Sequence, residues 1–173
     1  SRGIVMQRLK TIGALLLGLL PAAADGATFT VSNTAASGIG SLEAVIIAAN
    51  ATPGADTIEF AIAGTGVKTL VAPVVGYRQI TDSLIINGYT QSGAAVNTIA
   101  NDASNAVLRI EIDASAVTAS FGRVFAVDGG NVTLRGLALK NLANDVYGIR
   151  QSSSAGVLTV AGCFLGTDAA GAV

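Results

Sequence analysis

The sequence has no histidine, no tryptophan and one cysteine among its 173 residues. Without histidine, no Cys–His pair with imidazole as general base can be assembled from this chain. Cys163 has no disulfide partner within the chain and no cation close in sequence to lower its pKa. It reads as a small apolar residue filling a core. Charge is scarce as well: 12% of residues are charged, and the net charge is −1. That balance argues against an electrostatic nucleic-acid binder. Aromatics make up 5%, so no aromatic sugar-binding platform is signalled. The apolar run "IGALLLGLL" at 12–20 is too short to span a bilayer comfortably.

What is present points to strands. Half of the chain is hydrophobic and 21 residues are glycine. Small and β-branched residues with glycine punctuation suit short strands and tight turns. At the N-terminus, Arg8 and Lys10 precede the apolar run, Pro21 breaks it, and "AAADGA" follows. This order is that of a secretory signal peptide over residues 1–26, with cleavage expected after Ala24 or Gly26. Met6 is the expected initiator, which places residues 1–5 upstream of the true start. An acidic chain would remain after removal.

The next segment, 27–55, reads as a strand and a helix. Thr28 to Val31 alternates. Ser41 can cap a helix, Glu43 suits its first turn, and Leu42, Val45, Ile46 and Ala49 form one apolar stripe. Asn50, Pro53 and Gly54 end it. From 56 to 173 the chain repeats. The cores "LIING", "LRIEI", "VTLRG" and "LTVAG" recur every 24 to 26 residues. Equivalent strands that return to the same place stack in parallel, roughly 4.8 Å apart. The expected fold is therefore all-β: a right-handed parallel β-helix solenoid, with inward ladders such as Leu84–Leu108–Val132–Leu158. A weaker series puts Phe125 over Tyr147. The helix at 42–49 is expected to cap the first coil, against Ile58 and Phe60. An irregular β-sandwich is the competing architecture.

The ordered segments "FTVSNTAASGIGSLEAVIIAANATPGADTIEF", "ITDSLIINGYTQSGA", "AVLRIEIDAS" and "CFLGTDAAGAV" resemble the N-terminal part of bacterial secreted right-handed parallel β-helix repeat proteins, in the pectate-lyase-like solenoid superfamily. The family pattern runs "TVTNTNDSGxGSLRxAI", "ANxxPGxDTIxF", "xIDGYTQPGA" and "NFIGTDxxGT". Glu43-Ala44 departs from its usual Arg followed by Gln or Glu, Asn87 from its Asp, and Ser92 from its Pro. The resemblance implies a large extracellular or cell-surface protein with further coils. On that reading this chain is its truncated N-terminal part. It also implies that "GTD" at 166–168 is turn punctuation, with Cys163 at the place of Leu137 in the neighbouring coil.

Several polar residues merit inspection because β-helix scaffolds host polysaccharide lyases and hydrolases. Glu111 and Asp113 share a strand face and could form an acid/base pair, bind Ca²⁺, or be plain surface. Asp102, Asp128, Asp145 and Asp168 lie in loops where Asp is common. Arg109 and Arg135 align at a spacing of 26 and could hold an acidic sugar. Tyr77 and Tyr89 could stack on sugar rings. Asn50 and Asn131 head N-glycosylation patterns. No catalytic, cofactor-binding or metal-binding residue is assigned, and no cofactor is expected. The expected function is a non-catalytic structural or adhesive region, exported to the cell surface or beyond. Its partners would be a polysaccharide or surface ligand and further coils, with no nucleic acid, and with membrane contact only through the signal peptide. Two alternatives remain open: the N-terminal part of a polysaccharide lyase or glycoside hydrolase with catalytic coils beyond residue 173, and a β-sandwich binding module.

Overall fold

The computed structural model describes residues 25–100, 104–118, 122–152 and 156–172. The signal segment through residue 24 and Asp102 lie outside them. Eleven strands and one α-helix are described, and no described helix is long and apolar enough to cross a membrane.

The strands stack as a parallel β-solenoid of about five turns. One sheet contains β1 (Thr28–Val31), β2 (Asp56–Phe60), β4 (Leu84–Asn87), β7 (Val132–Arg135) and β10 (Leu158–Ala161), in that order. A second contains β3 (Lys68–Val71), β5 (Ile110–Asp113), β8 (Leu137–Lys140) and β11 (Phe164–Leu165). The third face pairs β6 (Arg123–Val127) with β9 (Tyr147–Gln151), and Ile80 bridges to Val127 in the coil before. Every named strand pair is parallel. Side chains alternate in and out, so each coil contributes inward rungs to one dry column. Ile58, Ile86 and Leu134 form such a column on the first sheet. Leu70, Ile112 and Leu139 form another on the second.

The register corrects two expectations. Val132 pairs directly with Leu84 and with Leu158, so Leu108 has no place in that ladder. The strand it leads into, β5, belongs to the second sheet, between β3 and β8. Two shifts of 24 residues are one long coil, in which residues 88–100 and 104–109 form an excursion from the first sheet to the second. An apolar alternation marks a buried strand but does not say which face of the solenoid it joins. Phe125 lies over Ile149, and Tyr147 lies over Arg123 instead.

The helix α1 (Leu42–Asn50) starts at Ser41, whose Oγ accepts from Ala44 N at 3.3 Å. It buries Leu42, Val45, Ile46 and Ala49 in the core shared with Ile58 and Phe60. The strand β1 precedes it and pairs with β2, so the helix completes a partial first coil. Its polar edge replaces a missing strand on the third face. Glu43 Oε2 accepts from Arg78 N at 2.7 Å, while Asn50 donates to Gln79 O at 2.7 Å and accepts from Thr81 N at 3.0 Å. Backbone groups that would otherwise form an open sheet edge are thereby occupied.

Three repeat glycines stack at the corner between the first and second sheets. A Cβ on Gly88 would meet Gly136 O at 2.1 Å, and one on Gly136 would meet the Tyr89 ring at 2.7 Å. A side chain at Gly162 would meet Tyr89 Oη at 2.2 Å, and Gly136 and Gly162 both have positive φ. Sterics and backbone conformation both demand glycine there.

Candidate functional site

Most of the polar residues singled out in the sequence serve the stack itself. Glu111 is the hub of the largest such arrangement. Its carboxylate receives Lys140 Nζ at 2.6 Å, Thr69 Oγ1 at 2.9 Å and Ala169 N at 3.1 Å. These groups come from three other coils, so one buried carboxylate ties four successive coils together. Asp113 lies on the same face and accepts from Ser115 N at 2.9 Å and Asn141 Nδ2 at 3.0 Å. Burial pushes the Glu111 carboxyl up, but the bonds from Lys140, Ala169 N and Thr69 and the Lys140 charge outweigh it. The net result lies below the ordinary carboxylate range. The same balance of burial against hydrogen bonds lowers Asp113. Lys140 is raised, first by its bond to Glu111.

A depressed Glu111 stabilises the fold above its unfolded value, near pH ~4.3, and that contribution fades as pH falls through the lower folded value. The raised Lys140 keeps its own contribution until pH climbs through a folded value above its ordinary one. Glu111→Gln is therefore expected to lower the melting temperature at pH 7 by about 5 °C. The gap from the parent should close below about pH 4. Thermal melts from pH 3 to 8 check this; a gap independent of pH would contradict it.

The segment 166–172 forms the turn that reaches back to Glu111. Asp168 Oδ1 accepts from Ala170 N at 2.8 Å and Ala172 N at 2.9 Å, and these bonds lower its pKa. Cys163 sits just before it, aligned with Leu137 because Phe164 pairs with Ala138. It is half-buried against the core, with Sγ 3.5 Å from Leu134 O. Burial pushes its thiol up. Labelling of the folded protein at pH 7 should be slow and should accelerate on denaturation. Fast native-state labelling would contradict an inert packing role.

Other candidates separate. Tyr77 is buried, stacked on Phe125 with ring centroids 5.1 Å apart, and so offers no sugar platform. Burial and, secondarily, the Glu43 charge raise its pKa well above the ordinary phenol value. Arg109 and Arg135 do not align: Arg135 pairs with Asn87 and Ala161 in the first sheet, while Arg109 precedes β5 and its Nε donates to Gly93 O at 3.1 Å. Asp145 and Asn141 adopt positive φ in the loop after β8. Asp128 continues the third face, donating its backbone N–H to Ile80 O. Asn131 accepts from Val157 N at 2.9 Å, so both glycosylation-pattern asparagines are engaged between coils. Among the described residues, no three His, Cys, Asp or Glu converge as metal ligands.

Two residues considered apart in the sequence do meet. The turn 88–93 leaves the first sheet and is pinned to its neighbours. Thr90 Oγ1 accepts from Phe60 N at 2.8 Å, and the Gln91 amide pairs with both Ile62 N and Ile62 O at 2.9 Å. Tyr89 runs the other way, across Gly136, and its hydroxyl donates to Gly162 O at 3.0 Å. Burial raises Tyr89, while the Arg135 charge pulls the other way. Between them opens a groove of about 300 Å³, lined by Tyr89, Val96, Asn97, Arg135, Ala161 and Gly162. It offers an aromatic ring, an exposed guanidinium and an apolar wall, held by a turn that three coils fix.

No family model, curated protein or solved structure matches the chain. The groove was not legible as a unit in the sequence, because Asn97 and Val96 reach it from the excursion and Arg135 from a later coil. Lys140, the partner of Glu111, was missed for the same reason: only the strand register brings it there.

Proposed function

We propose that this chain is a non-catalytic structural or adhesive β-solenoid that binds saccharide at the Tyr89–Arg135 groove. The observation that carries the reading is the groove itself. An aromatic ring supplies apolar area to a sugar face, a guanidinium supplies paired donors, and the rigid corner reduces the ordering that binding would otherwise require. The engagement of Glu111 and Asp113 in bonds between coils supports a scaffold role for those carboxylates. The family resemblance to bacterial secreted β-helix repeat proteins supports display outside the cytoplasm. Export through residues 1–26 belongs to the same proposal and rests on their charged, apolar and small-residue order; N-terminal sequencing of secreted protein checks it.

The test of the groove is a saccharide panel screened by nuclear magnetic resonance chemical-shift changes, with Arg135→Ala and Val96→Asp as variants. Both positions are exposed, so the fold should be kept. Shifts centred on Tyr89 in the parent, weakened about tenfold or more in either variant, are expected. Binding that neither variant alters would remove the groove from the account.

A further inference from the structure

A second cleft lies on the other side of the same turn. It measures about 210 Å³ and is lined by Gly64, Thr65, Gly66, Ser92, Gly93 and Arg109. No carboxylate lines it. Gly64 and Gly66 have positive φ, at 89° and 78°, and flank a Thr65 that does not. Alternation of this kind turns successive backbone N–H groups toward one side and makes an anion-binding concavity. Among the described residues, the amides of residues 64–66 and of Ser92 and Gly93 donate to no acceptor. Arg109 closes the cleft. Its Nε donates to Gly93 O, and among the described residues it forms no ion pair with a carboxylate. Beside the loop, Lys68 is a largely buried residue whose Nζ donates one hydrogen bond, to Thr65 O at 3.0 Å, and has no carboxylate partner among the described residues. Lys68 occupies an inward position, in line with Ile110 and Leu137, where an aliphatic residue would be ordinary. A cation without a counter-charge at the edge of a cleft favours an anion there.

We infer that this cleft binds a tetrahedral oxyanion, sulfate or phosphate, free or as the ester of a saccharide. Amides from two segments of the lining, 64–66 and 92–93, together with the Arg109 guanidinium, offer more donors than the two oxygens of a carboxylate can use. A tetrahedral anion has oxygens enough to accept from all of these donors, and the positive charge of Lys68 beside Gly64 favours it. The inference stands apart from the Tyr89–Arg135 groove, which lies on different residues.

Calorimetric titration of the full chain at low salt tests it, with inorganic sulfate, inorganic phosphate, a sulfated disaccharide and its unsulfated counterpart as probes. The expected result is binding of the anions and of the sulfated sugar, weakened about tenfold or more by Arg109→Ala and by Ser92→Asp. Ser92 is exposed, so its variant keeps the test decisive if Arg109→Ala disturbs the loop. Inorganic anions binding as tightly as the sulfated sugar would identify the free anion as ligand; tighter binding of the sugar would identify the ester. No binding of any sulfate or phosphate probe overturns the inference. Loss confined to Arg135→Ala would also overturn it while leaving the groove reading in place.

Discussion

Val132→Asp is expected to abolish the cooperative fold, whereas Thr133→Asp, one residue away, is expected to leave it standing. Val132 is fully buried between Leu84 and Leu158 in the inward ladder of the first sheet. A carboxylate there has no cation in the ladder and no water, and its uncompensated burial costs on the order of 4 kcal/mol or more. That is a large share of the roughly 5–15 kcal/mol that holds a domain folded. The neighbouring coils would lose their inner wall together, because each buries its apolar side only against the next. Thr133 points to the opposite face and is only partly buried. Circular dichroism melts of the two variants compare them directly, and equal tolerance would refute the inward assignment of Val132.

Ile46→Lys should fail differently, by aggregation before full unfolding. Ile46 is completely buried under α1, at the end of the solenoid where β1 and β2 would otherwise expose their inner faces. Its burial is worth roughly 1.5–3 kcal/mol, and a lysine both forfeits that and wedges the helix away. Lifting the helix also withdraws Glu43 and Asn50 from Arg78, Gln79 and Thr81. The exposed edge and apolar layer would then recruit other chains. Light scattering during heating should rise ahead of the loss of β signal. A variant that stays monomeric and melts like the parent would show that the helix caps nothing.

The parts of this architecture legible in the sequence are those set by local periodicity. The stripe Leu42, Val45, Ile46 and Ala49 predicts its own buried face, and Ser41 predicts the start. The matching cores around Leu84, Val132 and Leu158 give real neighbours in one sheet. Leu108 misleads because a two-residue alternation is the same on every face of a solenoid. Only the chain's route through the excursion decides which sheet "LRIEI" joins. The candidate sites depend still more on that route. Glu111 was visible as a carboxylate on a strand, but its partners Thr69, Lys140 and Ala169 arrive from three other coils. The cleft around Arg109 likewise draws on glycines whose positive φ no pattern in the sequence announces.

The register of the long coil is the claim on which the rest stands, and a disulfide cross-link tests it most directly. Ile85 and Thr133 are Cα partners on adjacent parallel strands. Adjacent strands lie about 4.8 Å apart, within the reach of a disulfide. In a Cys163→Ala background, Ile85→Cys with Thr133→Cys should cross-link under mild oxidation in the folded protein. Ile85→Cys with Arg109→Cys, the pair that an unbroken 24-residue repeat would bring together, should not. Efficient cross-linking of Ile85→Cys to Arg109→Cys, with none to Thr133→Cys, would contradict the stack described here.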